Sequence, residues 1–267
     1  MKVSFSHRVI HNANSALIAD IDEDNENELI IATSGREVYA YKLVKVGKNK
    51  DVLCLETKRR WVLPDKPSSL SKSMDSWGRP ILMIGQNSVG YYSIIDHRGN
   101  LINRELKNSF ESEDSEYRKG CILEIKDFSR PTLLNAQKVQ TRNLIAMVTL
   151  SGTVQLREDQ KILWKQNFKE QLFCLNACDL MELEADQVVV SSWEGTTYII
   201  DENQKTAVFH FEDQVCAFTA GRYSTAPNKQ VPCLVYVTFH DEIIIVYDIY
   251  TPALQQLFPK KKQEPKT

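Results

Sequence analysis

An acidic run near the start of the sequence is the clearest group of residues that could do chemistry. Carboxylates stand at alternate positions in Asp20, Asp22 and Asp24, and a fourth follows at Glu28. Oxygen ligands spaced in this way along a short loop are the kind that Ca²⁺ prefers. The sixth position of such loops is usually glycine, and Asn25 tolerates the same left-handed backbone. The spacing therefore predicts a calcium loop with these four carboxylates as its ligands.

The same acidic run also fits a plain turn between two strands. Carboxylates of this kind accept hydrogen bonds from nearby backbone N–H groups, and such bonds hold a tight turn without any metal. A matching segment at 179–186 keeps acidic residues but loses the alternate spacing, so no metal is expected there. Both interpretations of the first run stay open, and no cofactor is assigned.

Residues that could catalyse a reaction do not form a recognisable set. The sequence contains no phosphate-binding glycine loop, dinucleotide fingerprint, G-x-S-x-G elbow or H-E-x-x-H motif. The five histidines are scattered without a repeated acidic partner: His7, His11, His97, His210 and His240. Cys174 and Cys178 lie four residues apart, but no second pair completes a zinc set, so buried free thiols are expected. We predict a protein without enzymatic activity.

Trp193 is a candidate anchor for a protein partner. It falls inside a predicted hairpin turn, next to Glu194 and Gly195. Large aromatic side chains carry much of the binding energy at protein interfaces. Packing between neighbouring sheets is the alternative role for the same side chain, and the sequence leaves both open.

The elements that position these residues are short predicted hairpins. One type of hairpin unit recurs five times along the chain. Each unit is an apolar run, a tight polar turn and an alternating strand. The turn anchors are Gly35, Ser88, Gly152, Gly195 and Asp241, in steps of 53, 64, 43 and 46 residues. A period of about 40–50 residues is that of one four-stranded propeller blade. We predict an all-β propeller with about five recognisable units; a β-sandwich or two small β-domains are the alternatives.

The two strands of each hairpin are expected to differ in burial. The run before the turn is continuously apolar, which indicates a strand covered on both faces. The strand after the turn alternates, so Val154 and Leu156 are expected to be buried, and Gln155 and Arg157 to face solvent.

The predicted propeller covers residues 1–255. Its units lie near 3–60, 61–104, 120–165, 166–212 and 213–250. Residues 105–119 are rich in acidic residues and serine, which predicts a flexible loop. The polar stretch 256–267 is predicted to be a disordered tail.

Composition excludes some classes of function. The chain has 267 residues, with 33 Lys and Arg against 35 Asp and Glu, giving a net charge of -2. A general nucleic-acid binder carries a basic face, so this balance argues against that class. No apolar run approaches the roughly 20 residues of a membrane helix, and the first residues lack the apolar core of a signal peptide. We expect a cytoplasmic protein with reduced thiols that binds no nucleic acid.

Several segments resemble a known family. Residues 19–32 look like an FG-GAP repeat of the integrin-alpha type, in which an acidic loop precedes a β-strand. Three later segments are more specific: Leu-Trp-Lys-Gln at 163–166 with Gln-Leu-Phe-Cys at 171–174, Trp-Glu-Gly-Thr-Thr-Tyr-Ile-Ile-Asp at 193–201, and 216–223 through 232–239. They resemble the integrin-alpha FG-GAP repeat-containing proteins of the KICSTOR complex. The resemblance is strongest over 162–250, and residues 105–140 match poorly.

The resemblance implies a β-propeller that serves as a non-catalytic scaffold at the lysosomal membrane surface. The partners that it implies are the other KICSTOR subunits and the GATOR complex, which regulates Rag GTPases. Through them the family restrains target-of-rapamycin signalling when amino acids are scarce. Since the family has further blades, five units imply a short or partial form, such as an incomplete seven-bladed ring.

The calcium sites of integrins carry over only to Asp20, Asp22, Asp24 and Glu28. A calcium-dependent, integrin-like or lectin-like binding propeller is therefore the alternative function. The lack of glycosylation sequons in the sequence speaks against this extracellular class.

Overall fold

The computed structural model describes most of the chain. The described residues are 12–46, 52–75, 77–87, 91–105, 122–128, 130–135, 138–149, 151–158, 161–181, 185–226, 229–249 and 257. The predicted flexible loop after residue 105, the turn anchor Ser88 and nearly all of the predicted tail at 256–267 lie outside these ranges. The chain forms two compact units, Met1–Ile145 and Ala146–Thr267. The extent of the propeller domain over 1–255 stays a prediction.

The first unit contains two four-stranded sheets, each with its strands in chain order. One sheet is formed by β1 (Ala13–Ala19), β2 (Glu28–Thr33), β3 (Glu37–Val46) and β4 (Val52–Val62). The other is formed by β5 (Pro67–Met74), β6 (Pro80–Gln86), β7 (Tyr91–Asp96) and β8 (Leu101–Glu105). Three further strands follow, β9 (Ile122–Asp127), β10 (Arg130–Asn135) and β11 (Lys138–Arg142), and β10 pairs with β11 as a hairpin.

The boundary between the units lies inside β12 (Leu144–Thr149). With β13 (Thr153–Glu158) and β14 (Lys161–Asn167) it belongs to a sheet in the order β14-β13-β12-β9. The next sheet is β15 (Leu172–Cys178), β16 (Gln187–Ser192), β17 (Thr196–Ile200) and β18 (Thr206–His210). The last has three strands, β19 (Val215–Ala226), β20 (Lys229–Thr238) and β21 (Ile243–Tyr247). The described residues thus form five blade-type sheets and one hairpin, and the predicted all-β propeller class is confirmed.

Two of the strands before the tight turns are buried on both faces along their whole length, as predicted, whereas β20 is buried at some positions and only half-buried at others. Strands β12 and β16 are buried along their whole length. Because side chains alternate across a strand, complete burial means that both faces of the sheet are covered at these positions. Each unit has its own apolar core: Ile30 and Leu82 lie in the first, and Val189 and Tyr236 lie in the second.

The prediction that Gln155 and Arg157 face solvent is wrong. Their exposed fractions are 0% and 1%. Strand β13 is buried along nearly its whole length, so the face that carries Gln155 and Arg157 is covered as well as the apolar face. The two side chains contact each other, since Arg157 Nη1 donates to Gln155 Oε1 at 3.4 Å.

The tight turns share one geometry. In the four of these turns that the structure describes, the N–H of the third residue after the strand donates to the carbonyl of the last strand residue, as from Gly195 to Ser192 at 3.1 Å. That third residue has a positive φ, which favours the predicted anchors Gly152, Gly195 and Asp241. In the first turn the position belongs to Arg36, with φ 65°, and not to the predicted anchor Gly35.

Two tryptophans join neighbouring sheets at the same place in each unit. Trp61 Nε1 on β4 donates to the carbonyl of Gly99 at 2.8 Å, in the turn between β7 and β8. Trp164 Nε1 on β14 donates to the carbonyl of Glu202 at 3.1 Å, in the turn between β17 and β18. A buried indole on the last strand of one sheet therefore fixes the position of the next sheet in both units.

Within the described ranges, no helix has the length and the apolar character that crossing a membrane would require.

Candidate functional site

The acidic loop, residues 20–27, joins β1 to β2 in the first sheet. Asp20 fixes its backbone: Oδ1 accepts the N–H of Glu23 at 2.8 Å, and Oδ2 accepts the N–H of Asn25 at 3.0 Å. Asp24 Oδ1 accepts the N–H of Glu26 at 2.9 Å. Asn25 has a φ of 64°, the left-handed conformation expected from the sequence. The loop thus contains the carboxylate-to-backbone bonds of a turn that holds without metal.

Three of the four predicted calcium ligands lie together. One carboxylate oxygen from each of Asp20, Asp22 and Glu28 lies within 4.8 Å of the others. Two oxygens that bind one Ca²⁺ at about 2.3–2.6 Å are at most about 5 Å apart, so this spacing admits a cation. Oδ1 of Asp22 and Oε1 of Glu28 are buried and accept no hydrogen bond from the described residues. These three residues could therefore supply part of a calcium shell.

The fourth predicted ligand, Asp24, contacts a lysine instead. Its Oδ2 accepts a hydrogen bond from the ammonium of Lys42 on β3. Lys42 Nζ also lies 2.9 Å from Glu26 Oε2 and 3.8 Å from Glu28 Oε1. A positive charge from β3 therefore already lies against the acidic loop. Of the predicted ligands, only Asp20, Asp22 and Glu28 come together as a metal site would require. The calcium assignment of Asp20, Asp22, Asp24 and Glu28 stays a prediction.

Sequence reasoning missed Lys42 because it lies on a different strand. The register of β2 and β3 pairs Leu29 with Tyr41, so the next residue of β3 lies beside Glu28. The sequence does contain a lysine that lies opposite Glu28 once β2 and β3 are paired. This pairing is visible only when the strand register is known.

The pKa values of the loop follow from burial and from the ammonium. The hydrogen bond from Lys42 lowers the pKa of Asp24 below its ordinary value. Hydrogen bonds to Asp24 and Glu26 raise the pKa of Lys42 above its ordinary value. Burial raises the pKa of Glu28, partly opposed by the N–H of Ile21, which donates to Glu28 Oε2 at 3.1 Å.

The corresponding loop of the fourth sheet joins β15 to β16 and differs in chemistry. Gln187 begins β16 where Glu28 begins β2, and both side chains are 2% exposed. Gln187 Oε1 accepts the N–H groups of Leu180 at 2.8 Å and Met181 at 3.1 Å. Leu180 and Met181 are completely buried in the apolar core. Residues 182–184 lie outside the described ranges, and the described part of this loop contains no cluster of three metal-ligating side chains.

Trp193 lies in the predicted turn, between β16 and β17, and is 41% exposed. Its ring stacks on Phe173 at a centroid distance of 4.2 Å and an interplanar angle of 24°. The ring of Phe239 lies 6.3 Å away, in the corresponding turn between β20 and β21, and Phe239 is 57% exposed. We call these three rings the aromatic cluster. Trp193 therefore packs against neighbouring rings and still presents part of its surface to solvent.

Charged and polar groups border the aromatic cluster. A cavity of about 420 Å³ beside it is lined by Lys169, Glu170, Gln171, Trp193 and Glu194. An apolar centre surrounded by polar groups is the usual anatomy of a protein interface.

Phe239 was not identified from the sequence as part of this surface. Phe239 lies 46 residues after Trp193, and only the packing of two sheets brings their turns together.

The cysteines of β15 are buried and free, as predicted. Cys174 Sγ donates to the carbonyl of Phe218 at 3.2 Å, and Cys178 lies in the same apolar core. Burial raises the pKa of the Cys178 thiol to about 11, so it is protonated at neutral pH.

Comparisons with known proteins agree with the fold. Two crystal structures of BBS1N in complex with ARL6DN, one soaked with mercury and one with lead, share it with TM-scores of 0.54 and 0.53. They are 12% and 10% identical to this chain, and the matches cover 89% and 91% of it and 78% and 81% of those chains. At such identity the likeness shows the propeller fold alone.

Sequence comparison is more specific. KICSTOR complex protein ITFG2 of Mus musculus is 28% identical over 275 residues, covering 94% of this chain and 61% of the relative. The Bos taurus protein of the same name is 27% identical over 269 residues, covering 94% and 51%. The chain thus spans between half and two thirds of the length of these relatives. The family model for integrin-alpha FG-GAP repeat-containing protein 2 matches residues 1–251, and this chain therefore belongs to that family.

Proposed function

We propose that this chain is a non-catalytic scaffold subunit of a KICSTOR-like complex at the lysosomal membrane surface. In this role it helps to recruit the GATOR regulator of Rag GTPases and restrains target-of-rapamycin signalling on amino-acid starvation. The observation that carries the proposal is the family match over residues 1–251, together with relatives named as KICSTOR complex proteins. Because the chain spans only part of those relatives, its partners are part of the proposal.

The aromatic cluster is the surface that we assign to a partner. Phe173 holds the Trp193 ring in place from one side, so little conformational entropy is lost when a partner covers the other side. Phe239 extends the apolar area to the turn of the next sheet. Rigid, partly exposed aromatic side chains of this kind are the usual hot spots of interfaces.

The chemistry of the described residues supports a scaffold more than an enzyme. The buried thiol of Cys178 is protonated at neutral pH and lies in an apolar core. In the acidic loop, backbone N–H groups engage the carboxylate of Asp20, and Lys42 engages those of Asp24 and Glu26. The relatives are named as proteins of a complex, which points in the same direction.

Affinity capture tests the proposal. The tagged chain is expressed in its own cells with and without amino acids, and the recovered proteins are quantified by mass spectrometry. Recovery of the other KICSTOR subunits and of GATOR is expected, and recovery of chaperones alone would contradict the scaffold role.

Two tryptophan variants locate the surface. Trp193→Ala should reduce partner recovery by about 30-fold, which corresponds to loss of a hot spot of about 2 kcal/mol. Trp77→Ala is the matched control, because Trp77 is 77% exposed and contacts the guanidinium of Arg79 rather than other rings. Equal recovery with both variants, at unchanged thermal stability, would remove the aromatic cluster from the interface.

A further inference from the structure

The acidic loop concentrates negative charge that some cation must balance. Six of the nine residues from Asp20 to Glu28 carry carboxylates. Like charges at such spacing repel one another, and the repulsion grows where burial lowers the local dielectric constant. Glu28 is 2% exposed, and its Oε1 accepts no hydrogen bond from the described residues. A buried carboxylate of this kind requires a neighbouring positive charge.

Lys42 supplies a positive charge from the neighbouring strand. Its side chain is 10% exposed, so the ammonium is held within the loop rather than in solvent. It contacts Asp24, lies 2.9 Å from Glu26 Oε2 and lies 3.8 Å from Glu28 Oε1. An ammonium is a compact charge with three donors, which matches three surrounding carboxylates.

The same contacts obstruct a metal ion. Ca²⁺ takes six to eight oxygen ligands. Asp24 lies outside the group formed by Asp20, Asp22 and Glu28, and its two oxygens accept hydrogen bonds from Lys42 and from the N–H of Glu26. Glu28 belongs both to the three-carboxylate group and to the surroundings of Lys42. A divalent ion at Asp20 and Asp22 would therefore compete with the ammonium for Glu28, and would be repelled by it.

We propose that Lys42 is the resident cation of the acidic loop, in place of a metal ion. Removing its charge then exposes a divalent-cation site formed by Asp20, Asp22 and Glu28. The loop keeps its shape in the wild-type chain without calcium, because the ammonium balances Asp24, Glu26 and Glu28 while backbone N–H groups satisfy Asp20.

Calcium titration of the wild-type chain and of Lys42→Met tests this proposal. Methionine keeps the apolar stem and removes the charge. Isothermal titration calorimetry with CaCl₂ should show at least about tenfold tighter binding to Lys42→Met than to the wild type. Thermal unfolding should show a lowered midpoint for Lys42→Met that added CaCl₂ raises again. Lys45→Met, an exposed lysine on the same strand, should behave like the wild type.

Two outcomes would overturn the proposal. One is micromolar calcium binding by the wild-type chain, equal to or tighter than that of Lys42→Met. The other is a folded Lys42→Met that binds no more calcium than the wild type. If Lys42→Met does not fold, the double variant Lys42→Met, Glu26→Gln carries one less carboxylate, and the same titration applies to it.

Discussion

The loop between the first two strands of the first sheet and the corresponding loop of the fourth sheet have the same position in their sheets but differ in the residues that hold them. Both connect the first and second strands of a sheet, and both are closed by a buried polar residue that begins the second strand, Glu28 or Gln187. Each of these side chains accepts backbone N–H groups of its loop. The fold therefore requires a hydrogen-bond acceptor at this position and does not require a charge.

The difference lies in what surrounds the acceptor. In the fourth sheet the loop places Leu180 and Met181 in the apolar core, and burial of each contributes about 1.5–3 kcal/mol. In the first sheet the loop gathers carboxylates and Lys42 instead. One loop is held by apolar packing and a neutral amide, and the other by ionic contacts that depend on pH and salt. A row of acidic residues at this place is thus compatible with a loop that contains no metal.

Exchange of the two acceptors should give the largest effect. Gln187→Glu places a charge at a buried position and removes the amide that donates to the carbonyl of Ala185. We expect a loss of about 3 kcal/mol in the free energy of unfolding, measured by urea denaturation. The reverse change, Glu28→Gln, keeps an acceptor for Ile21 and should cost less than about 1 kcal/mol. Equal losses for the two variants would show that the two loops do not differ in this way.

An effect of intermediate size is expected from acid. Since Lys42 lowers the pKa of Asp24 below 3.8 in the folded chain, the unfolded chain binds more protons around that pH. The stability contributed by this contact is therefore complete above a pH of about 5 and is lost as the pH falls through the lowered value. In Lys42→Met the stability should fall less steeply with decreasing pH, as measured by the midpoints of urea denaturation between about pH 6 and pH 2.5. The same fall in stability at low pH in the variant and in the wild type would contradict the contact between Lys42 and Asp24.

The smallest effect should come from salt. Asp24 and Glu26 are 42% and 71% exposed at the side chain, so dissolved ions screen their contact with Lys42. Amide hydrogen exchange at Glu23, Asn25 and Glu26 should accelerate at molar NaCl, while the amides of Leu180 and Met181 should not. The same acceleration in both loops would indicate a general loss of stability rather than screening.

The fold was largely predictable because its signals are local. Continuous apolar runs, a left-handed turn residue and alternating strands all lie within about a dozen residues, and they identified the hairpins of β12–β13 and β16–β17. The burial of Gln155 and Arg157 was not predictable in this way. It depends on how the face of β13 that carries them is covered in the folded chain, and on a contact between the two polar side chains.

The two sites were predictable only in part, for the same reason. The acidic spacing identified Asp20, Asp22 and Glu28, which do come together, but it also included Asp24, which contacts Lys42. Trp193 was identified as an aromatic residue in a turn. Its neighbour Phe239 comes close only through the packing of two sheets.

Affinity capture of the tagged wild-type chain in the presence of either excess EGTA or millimolar CaCl₂ tests the central claim most directly. A metal-independent scaffold should recover the other KICSTOR subunits in equal amounts under both conditions. Recovery that requires calcium would contradict this account, and would instead favour a calcium-dependent binding propeller with the acidic loop as its metal site.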